Sequence, residues 1–112
     1  MRLEAKKLLF DVRQASELIE SFIRGRSFED YLHDSMLRSA VERQFEIMGE
    51  ALRRLAKTDP EVASQIPDYR RVIDFRNVLS HGYDLVLDEV VWGILVEHLP
   101  TLSATVLQLL AS

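Results

Sequence analysis

A chain of 112 residues has room for one domain with one core and too little for two of ordinary size. Hydrophobic residues make up 47% of it with both charge signs mixed throughout, which excludes a disordered chain; the absence of cysteine excludes a disulfide framework, a thiolate metal site and a cysteine nucleophile, and suits a reducing, cytoplasmic setting. A formal charge of -4 makes general attraction to polyanions weak, so any nucleic acid must be held by a local patch.

The first segment, Met1 to Lys7, runs straight into an amphipathic pattern without the apolar core of a secretory signal, and no apolar run approaches the ~20 residues of a membrane span. From about Leu3 to Arg24, the residues Leu8, Val12, Ala15, Ile19 and Phe22 follow the three-and-four spacing of a helix face. Gly25 supplies the stop, since glycine readily takes the left-handed conformation that ends helices. Ser27 lies three residues before the carboxylate of Asp30, the form of a capping box, and opens the second helix.

Helix two is predicted from about Phe28 to Lys57, with Leu37, Val41, Phe45, Met48, Leu52 and Leu55 on one broad face. At ~1.5 Å per residue it would reach ~45 Å, a length that invites a bend or an unravelled first turn. Thr58-Asp59-Pro60 ends it, and residues 60–67 form a connector with room for one short helical turn. Pro67-Asp68 opens helix three, which should finish between Ser80 and Gly82, and Tyr83 to Leu87 reads as an extended link. Asp88 caps helix four, whose stripe of Val91, Leu95, His98, Leu102, Thr105 and Leu109 continues past Pro100. A proline there cannot donate to the carbonyl four residues back, so a kink is expected and not a clean break. The expected fold is all-α, an antiparallel four-helix bundle with a short extra helical turn between helices two and three.

Chemistry concentrates in one stretch: Arg76, Asn77, Ser80, His81 and Tyr83 lie close together around the end of helix three. On a wheel at about 100° per residue, Arg76 falls on the inward arc with Val72, Phe75 and Leu79, while Asn77 and His81 face away from the core. A guanidinium on an apolar arc needs a carboxylate, and Glu46 and Glu50 on helix two are the candidates. Arg76 and His81 leave the helix about 140° apart. They cooperate only if the helix unwinds near Gly82, if the long arginine curls round, or if a second copy of the chain completes the site.

With a reference pKa of ~6.5, His81 can take and return a proton near neutrality, and Arg76 offers a planar fork suited to phosphate oxygens. Asn77 and Ser80 can orient either group or a substrate. No cluster of Asp, Glu and His has obvious metal-ligand spacing, which points away from a two-metal nuclease and requires no metal or other cofactor. The remaining chemistry is metal-independent cleavage of RNA, in which a base activates the ribose 2′-hydroxyl and cations stabilise the crowded phosphate. Arg70 and Arg71, one or two turns earlier, read either as a solvated face or as the local positive patch that holds RNA.

Arg76-Asn77-Val78-Leu79-Ser80-His81-Gly82-Tyr83 has the form R-x-x-x-x-H-x-Y with a polar residue after the arginine. Together with an all-helical chain of this size and the segment Arg43-Gln44-Phe45-Glu46-Ile47-Met48-Gly49-Glu50-Ala51 on helix two, it resembles the HepT-type HEPN domains over essentially the whole chain, residues 1–112. The resemblance implies a dimeric ribonuclease toxin encoded beside a minimal nucleotidyltransferase antitoxin. It implies catalytic roles for Arg76 and His81 with Asn77 in support, and transfer of AMP to the Tyr83 hydroxyl as the silencing step. An added nucleotide at Tyr83 would place bulk and negative charge where RNA phosphate must sit.

Each residue also has a plainer reading. Arg76 can be a structural arginine neutralised by helix two, His81 a cationic residue favoured by the helix dipole, and Tyr83 a seal on the bundle end. His98 reads as a satisfied core or interface histidine, His33 sits among acidic neighbours without nameable metal partners, and Trp92 reads as a packing or dimer residue. Three functions therefore stand together: a homodimeric RNA endonuclease, a catalytically weak partner of a nucleotidyltransferase that presents Tyr83, and an assembly protein that dimerises through helix faces.

Overall fold

The computed structural model of the protein describes residues 1–81 and 88–112, apart from the side chains of Val78, Ser80 and His81. Seven helices follow one another among these residues: α1 Leu3–Ile23, α2 Phe28–Leu32, α3 Ser35–Thr58, α4 Pro60–Ser64, α5 Tyr69–His81, α6 Asp88–Glu97 and α7 Leu99–Ala111. No strand occurs among the described residues, and the expected all-α bundle is formed by α1, α3, α5 and the bent rod of α6 and α7.

Local side-chain chemistry sets the boundaries. Gly25 takes the left-handed conformation after α1, at φ +73°. The capping box of α2 is complete: the Ser27 hydroxyl accepts the Asp30 N–H at 3.2 Å, and the Asp30 carboxylate accepts the Ser27 N–H at 2.9 Å. The helix expected over 28–57 is then cut in two after its first turns. Asp34 accepts the Leu37 N–H at 3.0 Å and so caps a new helix, α3, while Arg38 donates back to the carbonyls of Tyr31 and Leu32 and satisfies the end of α2. An aspartate that bonds the backbone ahead of it competes with helix continuation, which is why the break falls there.

Asp59 ends α3 and caps α4 through the Val62 N–H at 3.2 Å, with Pro60 at the first helical position, where its missing N–H is not needed. This is the short turn expected in the connector. Asp68 precedes α5 with φ +58°, and its carbonyl accepts the Val72 N–H at 3.1 Å. The link expected from Tyr83 to Leu87 lies outside the described residues. Asp88 is the first residue of α6 and not its cap, and it faces Arg38 at 3.8 Å. Near Pro100 the last rod is interrupted at His98 alone, and α6 and α7 meet at 45°. Backbone bonds from His98 N–H to Ile94 and from Leu102 N–H to His98 carry the chain through this kink.

Helix α3 is the central element: α1 and α5 both pack on it, α7 lies along α1, and α2 bridges α3 and α6. Leu9, Val12 and Ile19 of α1 share one buried cluster with Phe45, Met48 and Leu52 of α3, Val72 and Leu79 of α5, and Leu102 and Val106 of α7. Complete burial of such a side chain contributes ~1.5–3 kcal/mol. Ser16 is buried in this cluster without penalty, because its hydroxyl donates to the Arg13 carbonyl at 2.9 Å and lies 3.2 Å from the Ser103 hydroxyl on α7. Trp92 packs on Tyr31 and Phe28 with ring centroids 5.5 and 6.3 Å away, a packing role within the chain. Among the described residues no single helix is long and apolar enough to cross a membrane.

Candidate active site

Arg76 is seated by the close approach of α5 to α3. Val72 and Leu79 are buried on either side of it along α5, and Phe75 meets Phe45 of α3 edge-on with centroids 5.4 Å apart. Directly beneath the arginine stem is Gly49, where a Cβ would lie 2.4 Å from Arg76 Cβ and 2.8 Å from its Cγ. The helices can touch at this point only because Gly49 has no side chain. Sequence reasoning passed over Gly49; an isolated glycine inside a strongly helical pattern is the signal that could have found it.

The guanidinium then meets two partners. Nη2 lies 3.5 Å from Glu50 Oε1, and Nη1 donates to Asn77 Oδ1 at 3.1 Å. Nε is buried and has no hydrogen-bond partner among the described residues. Of the two carboxylates expected to neutralise Arg76, Glu50 is the one that pairs with it. Glu50 is also held by Arg53, through bonds of 2.9 and 2.8 Å, and by Arg54 at 3.1 Å. Arg53's hydrogen bonds are the main cause, outweighing desolvation and joined by Arg54's bond and the charges of Arg53 and Arg76, that pulls the Glu50 carboxyl down to about 2. It is a fixed anion at any physiological pH.

A cleft of about 270 Å³ opens between α1, α3 and α5, lined among others by Arg43, Glu46, Glu50, Arg54 and Arg76. Arginine carries five N–H donors; those of Arg76 not engaged by Glu50 and Asn77, the buried Nε–H apart, suit an oxyanion. Asn77 is exposed, as the wheel requires of a residue facing away from the core. Ser80 and His81 form the last turn of α5, which stays helical through His81. Their side chains, and the whole of Tyr83, lie outside the described residues.

Arg70 and Arg71 are on other surfaces of α5. Arg70 donates to the Tyr69 hydroxyl at 3.0 Å, and Arg71 Nη1 lies 3.2 Å from His98 Nε2. The opposite ring nitrogen of His98, Nδ1, is 2.7 Å from Asp68 Oδ2. Arginine can only donate, so these partners assign Nε2 of a neutral His98 as acceptor and Nδ1–H as donor to Asp68. His98 is thus the satisfied histidine expected, and it ties the kink between α6 and α7 to the start of α5. His33, by contrast, is exposed and among the described residues pairs only with Glu29, at 3.2 Å. Among the described residues no three His, Asp or Glu side chains converge to hold a metal ion.

The pattern of the family described as "Ribonuclease HepT-like" matches residues 12–109. A protein of Thermococcus cleftensis named "Probable ribonuclease HepT" is 36% identical, over 91% of this chain and 92% of its own length. A protein of Caldanaerobacter subterraneus subsp. tengcongensis, provisionally named as an RNase, is 31% identical over 88% of both chains. Another provisionally named RNase, from Methanocaldococcus jannaschii, is 26% identical over 92% of this chain and 94% of its own. No solved structure matches the chain at a significant level. A match that spans α1 to α7, with Arg76 seated on α3 and the R-x-x-x-x-H motif at the end of α5, has one meaning: the chain belongs to the ribonuclease HepT-like family.

Proposed function

We propose that the protein, as one HEPN-like domain of residues 1–112, is a metal-independent RNA endonuclease and the toxin of a toxin-antitoxin pair in the cytoplasm. In this reading His81 takes the proton of a ribose 2′-hydroxyl. The 2′-oxygen attacks the adjacent phosphorus, the P–O5′ bond breaks, and the 5′-oxygen leaves with the proton that His81 returns, giving a 2′,3′-cyclic phosphate and a 5′-hydroxyl end. Arg76 stabilises the added negative charge on the phosphate, and Asn77 holds the guanidinium in register. The observation that carries the reading is the seat of Arg76: a guanidinium pinned by Gly49, Glu50 and Asn77, five residues before a histidine, in a ribonuclease-family chain.

Two further features belong to the proposal. The working unit is a homodimer with a composite site, because α5 stays helical through His81 and five residues of helix set the two positions ~140° apart about its axis. Silencing is transfer of AMP to Tyr83 by a minimal nucleotidyltransferase, whose product blocks the phosphate position with bulk and charge. One assay covers both chemistry and control. The wild type should cleave RNA in EDTA, Arg76→Ala and His81→Ala should not, and the transferase with ATP should silence wild type but not Tyr83→Phe. Loss of wild-type cleavage in EDTA would overturn the mechanism, and equal silencing of Tyr83→Phe would overturn the control.

A further inference from the structure

We propose that the cleft beside Arg76 is a phosphate-binding subsite for the RNA strand, with Arg43 and Arg54 of α3 contacting phosphates that flank the one Arg76 meets. The inference rests on the ribonuclease reading above and names the surface that holds the substrate. Arg43, Ile47, Glu50 and Arg54 recur at intervals of four, three and four, so they form one stripe along α3. All four line the cleft that Arg76 enters from α5. Arg43 and Arg54 stand ~16 Å apart along the helix axis, with the Glu50–Arg76 pair between them. That length reaches more than one phosphate of a strand.

The cations in this row are available. Arg43 is exposed and has no carboxylate partner among the described residues; Arg54 binds Glu50 through Nε alone, at 3.1 Å, with its side chain 64% exposed. The anions are largely spent. Asp11 on the cleft wall is bound by Lys7 at 2.7 Å, and Glu50 is shared by Arg53, Arg54 and Arg76. Only Glu46 faces the cleft without a partner among the described residues. Glu50 is the positioning residue of this subsite, because one carboxylate fixes a guanidinium from each of the two helices. A chain of net charge -4 needs such a local patch, and Arg70 and Arg71 line different hollows on the surface.

The test is fluorescence anisotropy of the full chain with a fluorescein-labelled 2′-O-methyl oligouridylate, which lacks the nucleophilic hydroxyl, across a KCl series. Each of Arg43→Gln and Arg54→Gln should weaken binding and reduce the slope of log affinity against log salt by about 0.7. Arg43→Lys and Arg54→Lys, which keep the charge, should restore the slope and exclude an effect through folding. Wild-type slopes in both glutamine variants, or a slope loss confined to Arg70→Gln and Arg71→Gln, would overturn the subsite. Cleavage in EDTA judges the ribonuclease reading separately: a wild type that cleaves while the glutamine variants keep their slopes loses the subsite alone, and one that neither binds nor cleaves loses both.

Discussion

Glu50 is bonded by Arg53 and Arg54 and faces Arg76, and these contacts make the folded state prefer its ionised form. Its carboxyl lies at about 2 in the folded chain against an ordinary value of roughly 4.3 in the unfolded one. The sign follows directly: a depressed folded value adds stability that is fully present above the unfolded pKa and is lost as pH falls through the folded one. Urea denaturation at a series of pH values should therefore show wild type losing more stability than Glu50→Gln between about pH 4.3 and 2. At neutral pH Glu50→Gln should be the less stable of the two. An equal acid slope in the two proteins would show that the cluster adds nothing to the fold. The inward placement of Arg76 and the need for a carboxylate were legible in the sequence, because a wheel and the cost of a buried charge are enough to derive them. The choice of Glu50 over Glu46 was not, since it depends on how far α5 is rotated against α3.

That rotation is a property of paired elements, and Gly49 sets it. The atoms that an added Cβ would strike are Arg76 Cβ and Cγ, the root of the side chain, so relief requires α5 to move away from α3. Alanine favours a helix over glycine by ~1 kcal/mol, yet overpacking of this kind costs ~1–3 kcal/mol. Gly49→Ala should be net destabilising in a denaturant titration, and it should lower RNA cleavage by displacing Arg76 from Glu50. A variant more stable than wild type with full activity would show that the contact is slack. Other element boundaries divide the same way. The Ser27–Asp30 box and the Gly25 stop are local patterns and could be read from the chain. An interruption early in the long second helix was expected from its length, but its place at Asp34 was not, for no glycine or proline marks it and an aspartate in a long helix reads as surface charge. The Asp34 cap sets the break, and Arg38 reaching back to α2 with Trp92 of α6 packing on Tyr31 holds it. The kink near Pro100 was legible from the proline, but the Asp68–His98–Arg71 cluster was not, because the direction in which the 45° bend carries His98 toward α5 depends on how the helices pack.

For the molecule as a whole, the proposed mechanism requires Arg76 and His81, set ~140° apart around α5, to serve one phosphate. Helix α5 persists through His81, and the unwinding expected near Gly82 lies outside the described residues. Curling of the arginine is opposed by its anchorage on Glu50 and Asn77. Five residues of helix separate Arg76 from His81 by ~7.5 Å along the axis and ~140° about it. A second chain related by a two-fold axis meets this geometry without distorting either helix, since it can offer its histidine to the first chain's arginine and receive the same in return. Complementation tests it. Arg76→Ala and His81→Ala should each be inactive alone, and subunits of the two coexpressed or refolded together should regain part of the cleavage activity. In such a mixed dimer one of the two sites combines an intact arginine from one chain with an intact histidine from the other. A site confined to one chain predicts no recovery, because every chain in the mixture lacks one of the two groups. Recovery with size-exclusion evidence of dimers supports the composite site; silence in a mixture that demonstrably forms mixed dimers returns both residues to a single chain.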